Sequence, residues 1–94
     1  MALLDLLGRR TTLRALWELR AGPLSFRALV TAAATNPGVL NARLGELRDA
    51  GIVELTTDGY ALTPGGRALF KTLRPLASWA EAWAGRLGAA RRLG

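Results

Sequence analysis

The stretch NPGVLNARLGELRDAG, residues 36–51, decides how this chain is read. It predicts one helix with both ends marked. Asn36 is a strong N-cap, and Pro37 suits the first helical position, where no amide donor is needed. Gly51 suits the left-handed residue that follows a last turn. Leu40, Leu44 and Leu47 recur at helical spacing and form a core-facing stripe. The opposite face carries Gly38, Asn41, Ala42, Gly45 and Asp49, with Arg43 on its flank. That face is nearly bare and slightly acidic. Each exposed glycine costs about 1 kcal/mol relative to alanine, so two of them need a reason, such as close approach of another backbone or surface.

Upstream, TTLRALWELRAGP (residues 11–23) predicts a helix capped by Thr11 or Thr12 and stopped by Gly22 and Pro23, with Leu13, Leu16, Trp17 and Leu19 on its buried side. SFRALVTAAA (residues 25–34) predicts a shorter helix capped by Ser25, with Phe26, Leu29 and Val30 facing the core. Before both lies an apolar patch, Leu3, Leu4, Leu6 and Leu7, closed by Gly8. Downstream, IVELTTDGYALT (residues 52–63) is a hairpin signal, because Asp58-Gly59 suits a two-residue type I′ turn. That turn pairs Thr57 with Tyr60 and Leu55 with Leu62, and sets Val53, Leu55, Tyr60 and Leu62 against the core. Thr63 and Pro64 then begin a last helix over residues 64–92. Its apolar seam is Leu69, Leu73, Leu76, Ala80, Trp83 and Leu87, and Pro75 is expected to kink or split it. Three helices closed by a hairpin and followed by a long helix make one winged helix-turn-helix domain over residues 1–94, mainly α with a small β-hairpin. The helix-turn-helix and wing occupy residues 11–63.

The bulk composition narrows the function. The 94 residues contain no cysteine and no histidine, which removes disulfides, thiol chemistry and the commonest general base and metal ligand. Seven scattered carboxylates form no catalytic constellation, so an enzyme, a metal centre and a cofactor are not expected. No apolar run is long enough for a membrane span, and MALLDLLGRR lacks the order of a signal peptide; a cytoplasmic protein is expected. The net charge of +6 suggests an anionic partner. It is unevenly spread: residues 46–66 hold one basic and four acidic side chains, while both flanking segments are basic. Arg86, Arg91 and Arg92 read as a solvated tail.

AGPLSFRALV, VLNARLGELRDAGIVE, YALTPGGRAL and LASWAEAW, taken in order, resemble the HxlR type of winged-helix transcriptional regulator, within the wider MarR-like group. The resemblance runs from about Thr11 to Trp83. It implies a dimer that binds double-stranded DNA at a palindromic operator, with the third helix in the major groove and the hairpin at the backbone. On that reading Asn36, Gly38, Asn41, Ala42 and Arg43 are base-reading candidates. Asn41 has the amide for a bidentate pair with adenine, and Ala42 a methyl for thymine. Ser25, Arg27, Arg48 and Thr57 are the phosphate candidates. The chain departs from the family in three places. Thr11 stands where a tryptophan, often near a sensing cysteine, is usual. Ser25 replaces a basic residue. The wing is short, with Asp58 at its tip.

The last helix extends past the body of a small domain, and aromatics on such an extension are typical interface anchors. Leu3, Leu7, Leu76, Trp79, Ala80, Trp83 and Leu87 are therefore expected to form a homodimer interface. Two alternatives stay open at this point. Arg43 can pair with Glu46 instead of DNA, and the acidic hairpin suits a winged-helix protein-interaction module that has lost DNA binding.

Overall fold

The computed structural model describes the backbone of residues 2–93 and the side chains of residues 3–88. Five helices and one hairpin follow in order: α1 (Ala2–Leu7), α2 (Arg10–Glu18) with a 3-10 turn (Leu19–Ala21), α3 (Phe26–Ala33), α4 (Pro37–Asp49), β1 (Val53–Thr56), β2 (Gly59–Leu62) and α5 (Pro64–Leu93). This is the winged helix-turn-helix with a long C-terminal helix that the sequence predicts.

The core is built from leucine. Leu16 and Leu19, Leu29 of α3, and Leu40, Leu44 and Leu47 of α4 are almost wholly buried, and Ile52, Val53 and Leu62 close it from the hairpin side. The N-terminal patch is a helix of its own. Its Leu6 and Leu7 join the core, while Leu3 and Leu4 stay exposed.

Helix α2 starts earlier than expected. Arg9 occupies the cap position without a side-chain bond, and Thr11 and Thr12 lie inside the first turns. The buried face is rotated as a result. Thr12, Ala15, Leu16 and Leu19 face the core, whereas Leu13 and Trp17, both expected inside, are exposed. Trp17 instead sits between the Arg20 guanidinium, 4.1 Å from its ring centre, and Phe70, 5.9 Å away.

The ends of α3 and α4 form as the sequence dictates. Ser25 Oγ accepts from the Ala28 amide at 3.1 Å, and Asn36 Oδ1 accepts from the Gly38 and Val39 amides at 2.8 and 3.2 Å. Helix α4 closes with paired terminal bonds, Gly51 N–H to the Arg48 carbonyl and Ile52 N–H to the Leu47 carbonyl. Gly51 has φ +75°, the left-handed conformation such a terminus requires.

The hairpin forms in a different register from the expected one. Leu55 pairs with Tyr60, Val53 with Leu62 and Thr56 with Gly59, so Thr57 and Asp58 make the turn. Neither has a positive φ, which excludes the type I′ turn. Two forces, one local and one long-range, select this register. Thr56 Oγ1 donates to the Gly59 carbonyl at 2.8 Å and accepts from the Asp58 amide at 3.1 Å. Gly59 is also wanted elsewhere: β2 bridges to Leu24 through reciprocal bonds of 3.0 and 2.8 Å between Leu24 and Tyr60. A Cβ on Gly59 would lie 2.5 Å from the Leu24 carbonyl oxygen. Shifting the partners by two residues preserves the faces, yet Leu55, expected in the core, is 53% exposed near the tip.

Thr63 joins wing to last helix. Its hydroxyl donates to the Gly51 carbonyl at 2.6 Å and accepts from the Gly66 amide at 2.9 Å, capping α5. Helix α5 then runs through Pro75 without the expected split. Proline removes the bond to the Lys71 carbonyl, but the position is exposed, where that carbonyl can turn to water.

Candidate nucleic-acid interface

Helix α4 presents Gly38, Val39, Asn41, Ala42, Gly45, Arg48 and Asp49 to solvent. The buried leucine stripe fixes this orientation, and the cap at Asn36 fixes where the helix begins. The same cap limits Asn36 as a reader. Its oxygen is committed to two backbone amides, so it cannot make the bidentate pair that reads adenine. Asn41, one turn on, is exposed, with no side-chain hydrogen bond among the described residues, and retains that capacity.

Arg43 takes the bracing alternative. Its Nη2 lies 2.9 Å from Glu46 Oε1, its side chain is only 16% exposed, and its Nε is buried without a partner among the described residues. The exposed face of α4 therefore offers one free cation, Arg48, next to Asp49. Exposed Glu54 and Asp58 make the wing acidic. Thr57 stands exposed at the wing turn. Arg67, just beyond the wing, donates to the Leu62 carbonyl at 3.1 Å.

Ser25 and Arg27 open helix α3 and are both exposed. The Ser25 hydroxyl accepts from the Ala28 amide, and Arg27 makes no ion pair among the described residues. A further polar concavity of about 450 Å³ lies at the corner of the helix-turn-helix, where Arg10, Thr11 and Arg14 of α2 face Thr35 and Asn36. The sequence reading did not assemble this site. The sequence does offer Arg9, Arg10 and Arg14 as cations that could offset the acidic wing, and the i, i+4 spacing of Arg10 and Arg14 places both on one helix face.

The residues expected at a dimer interface divide into three groups. Leu7 is inside the chain's own core. Leu3 lies beside Glu46, Asp49 and Ala50, at the far end of α4. Leu76, Trp79, Ala80 and Trp83 are exposed along α5, and Leu87 is half-buried. Trp79 and Trp83 stack on each other with ring centres 6.3 Å apart and planes within 9°. An apolar cleft of about 320 Å³ lies between α5 and α2, lined by Leu13, Trp17, Phe70, Leu73, Leu76 and Ala80. The sequence places Leu13 and Trp17 in the core, so it does not announce this cleft. The side chains of Arg91 and Arg92 lie outside the described residues.

A helix-turn-helix with its second helix outward, a hairpin bridged to the strand-like Leu24 and a basic corner define the winged-helix class of DNA-binding proteins. The HxlR-like helix-turn-helix family model matches residues 6–87. The chain belongs to that family, whose members are DNA-binding transcription regulators and not enzymes. Among solved structures, the chain is similar to quinone-bound YodB from B. subtilis, at 30% identity over 86% of this chain and 93% of that one, with a TM-score of 0.77. BpsR of Bordetella bronchiseptica, whose DNA binding is regulated by 6-hydroxynicotinic acid, shares the fold at 22% identity, 95% and 74% coverage and a TM-score of 0.72. Among curated proteins none matches the sequence. No helix among the described residues is long and apolar enough to cross a membrane, and no group of metal-ligating side chains occurs among them.

Proposed function

We propose that this regulator acts as a homodimer that reads a palindromic operator, with one α4 in each of two successive major grooves. The observation that carries the reading is the face of α4: exposed, anchored by a buried leucine stripe, and small enough at Gly38, Ala42 and Gly45 for a base edge to come close. Asn41 reads adenine and Ala42 contacts thymine methyl groups. Arg43 supports the helix through Glu46 instead of reading bases. Ser25, Arg27, Arg48 and Thr57 meet phosphates.

The second copy covers the cleft between α2 and α5. Leu76, Trp79 and Trp83 are each about half exposed, at 59%, 58% and 48%, on a continuous rod beyond the core. Contiguous apolar surface of this kind is unusual on a monomer, and an isologous pairing lets both copies bury it at once.

The test is selection of bound duplexes from a random library, followed by affinity measurement over a salt series. A sequence preference combined with a steep salt dependence supports the reading. Folded protein that binds no duplex at low salt would overturn it in favour of a protein-interaction module. Asn41→Ala is expected to change the preferred sequence, whereas Arg27→Ala weakens all sequences alike. Sedimentation tests the assembly: Trp79→Ala/Trp83→Ala is expected to yield monomer.

A further inference from the structure

The charge of the exposed groups is inverted relative to what a winged helix needs. The wing side offers Glu54 and Asp58, and the far end of α4 offers Asp49 beside Arg48. The basic side chains that face the helix-turn-helix corner are Arg10 and Arg14, one turn apart on α2. Arg10 is exposed and makes no ion pair among the described residues. Arg14 touches Glu18 through Nε at 3.4 Å, which leaves its Nη groups available. Two acids lie near these arginines: Glu18, paired with Arg14, and Glu81, which shares an adjoining concavity with Arg10 and Arg14; neither is part of this concavity's wall. The Thr11 and Thr35 hydroxyls are hydrogen-bonded to each other at 3.4 Å across it, so whichever accepts keeps a proton that a third group can accept. Ala33 ends α3 and Ala34 begins the turn, and their small side chains leave the concavity open.

From this geometry we infer that the corner is a phosphate-binding site, formed by Arg10, Arg14, Thr11 and Thr35, and that it holds a backbone phosphate of the DNA at the start of α4. This rests on the DNA-binding reading above. In that reading the first turns of α4 enter the groove, so the corner meets the groove's rim. The hydroxyls and guanidinium donors suit a doubly liganded phosphate oxygen pair, and the concavity is polar where the α2–α5 cleft is apolar. The electrostatic grip is thus transferred from the wing to α2. The protein binds from the side of its first long helix, and the acidic wing contributes little to affinity.

The test uses the full chain and its selected duplex. Each neutralised phosphate contact lowers the slope of log K against log salt by about 0.9. Arg10→Gln is expected to reduce that slope by about one and Arg10→Gln/Arg14→Gln by about two, with equal loss on the selected and a scrambled duplex. Arg10→Lys should restore most of the slope, and Arg86→Gln, far along α5, should leave it unchanged. Replacing single phosphates by methylphosphonates should reveal one position whose effect vanishes in the Arg10→Gln variant. If wild type binds with a slope that Arg10→Gln does not alter, the corner site is wrong and the DNA reading stands. If wild type binds no duplex, both fall. Arg10-dependent saturation by inorganic phosphate, together with a salt slope for DNA that Arg10→Gln leaves unchanged, would overturn the assignment to the nucleic-acid backbone.

Discussion

Three single residues carry conformational or polar strain that the rest of the fold holds in place. Ala34 has φ 50° and ψ 50°, a left-handed conformation that costs a non-glycine residue about 1 kcal/mol. Ala34→Gly is expected to raise stability by about 0.5–1 kcal/mol, seen as a higher urea midpoint with an unchanged m-value. Gly66 is the opposite case. A Cβ there would lie 2.1 Å from the Ile52 carbonyl oxygen, so Gly66→Ala must push α5 away from the hairpin. We expect a loss of about 2 kcal/mol or more in the same measurement. Thr12 is wholly buried, and its hydroxyl has no partner among the described residues. Thr12→Val removes that unsatisfied group at nearly constant shape and should stabilise the fold by about 1 kcal/mol. A lower midpoint would mean that the hydroxyl has a partner in solution.

Among the elements, those with local punctuation were legible in the sequence. Asn36, Pro37 and Gly51 set both ends of α4, and its leucines set its inner face, so residues 36–51 form as read. Asn36→Ala should therefore cost about 1 kcal/mol, measurable by thermal denaturation. The hairpin was legible as an element but not in register, because the decision lies with Leu24, a residue 36 positions from Tyr60. No property of TTDG itself announces that bridge. Helix α2 shows a different limit. Its threonines suit a cap, but the chain enters from α1 already helical by Arg10, and burying Thr12 in place of Leu13 turns the whole face. The candidate site divides in the same way. The outward face of α4 follows from its leucine stripe, and the Arg43–Glu46 pair follows from their i, i+3 spacing, whereas the meeting of α2 with Thr35 depends on packing that sequence spacing does not encode.

Taken as a whole, the molecule is elongated, 52 × 25 × 25 Å, with a radius of gyration of 14.9 Å. A compact domain of this length would have a radius of gyration of about 12 Å. The excess is α5, whose 30 residues span about 45 Å. In a dimer joined along this rod, Trp79→Ala/Trp83→Ala should weaken operator binding far more than binding to an isolated half-site, as measured by titration on duplexes carrying one or two half-sites. Loss of equal size on both would place the tryptophans outside the assembly contact.

The same rod is bolted at its base to the reading head. Thr63 holds the Gly51 carbonyl, which ends α4, and Gly66 packs on Ile52. Helix α5 is then a lever with a fixed fulcrum beside the wing. A tilt of about 5° over a ~45 Å arm moves the far end by about 4 Å, close to the ~3.4 Å rise between successive bases. In the dimer proposed above, a tilt of that size would set the two reading heads out of step with the helical repeat of DNA.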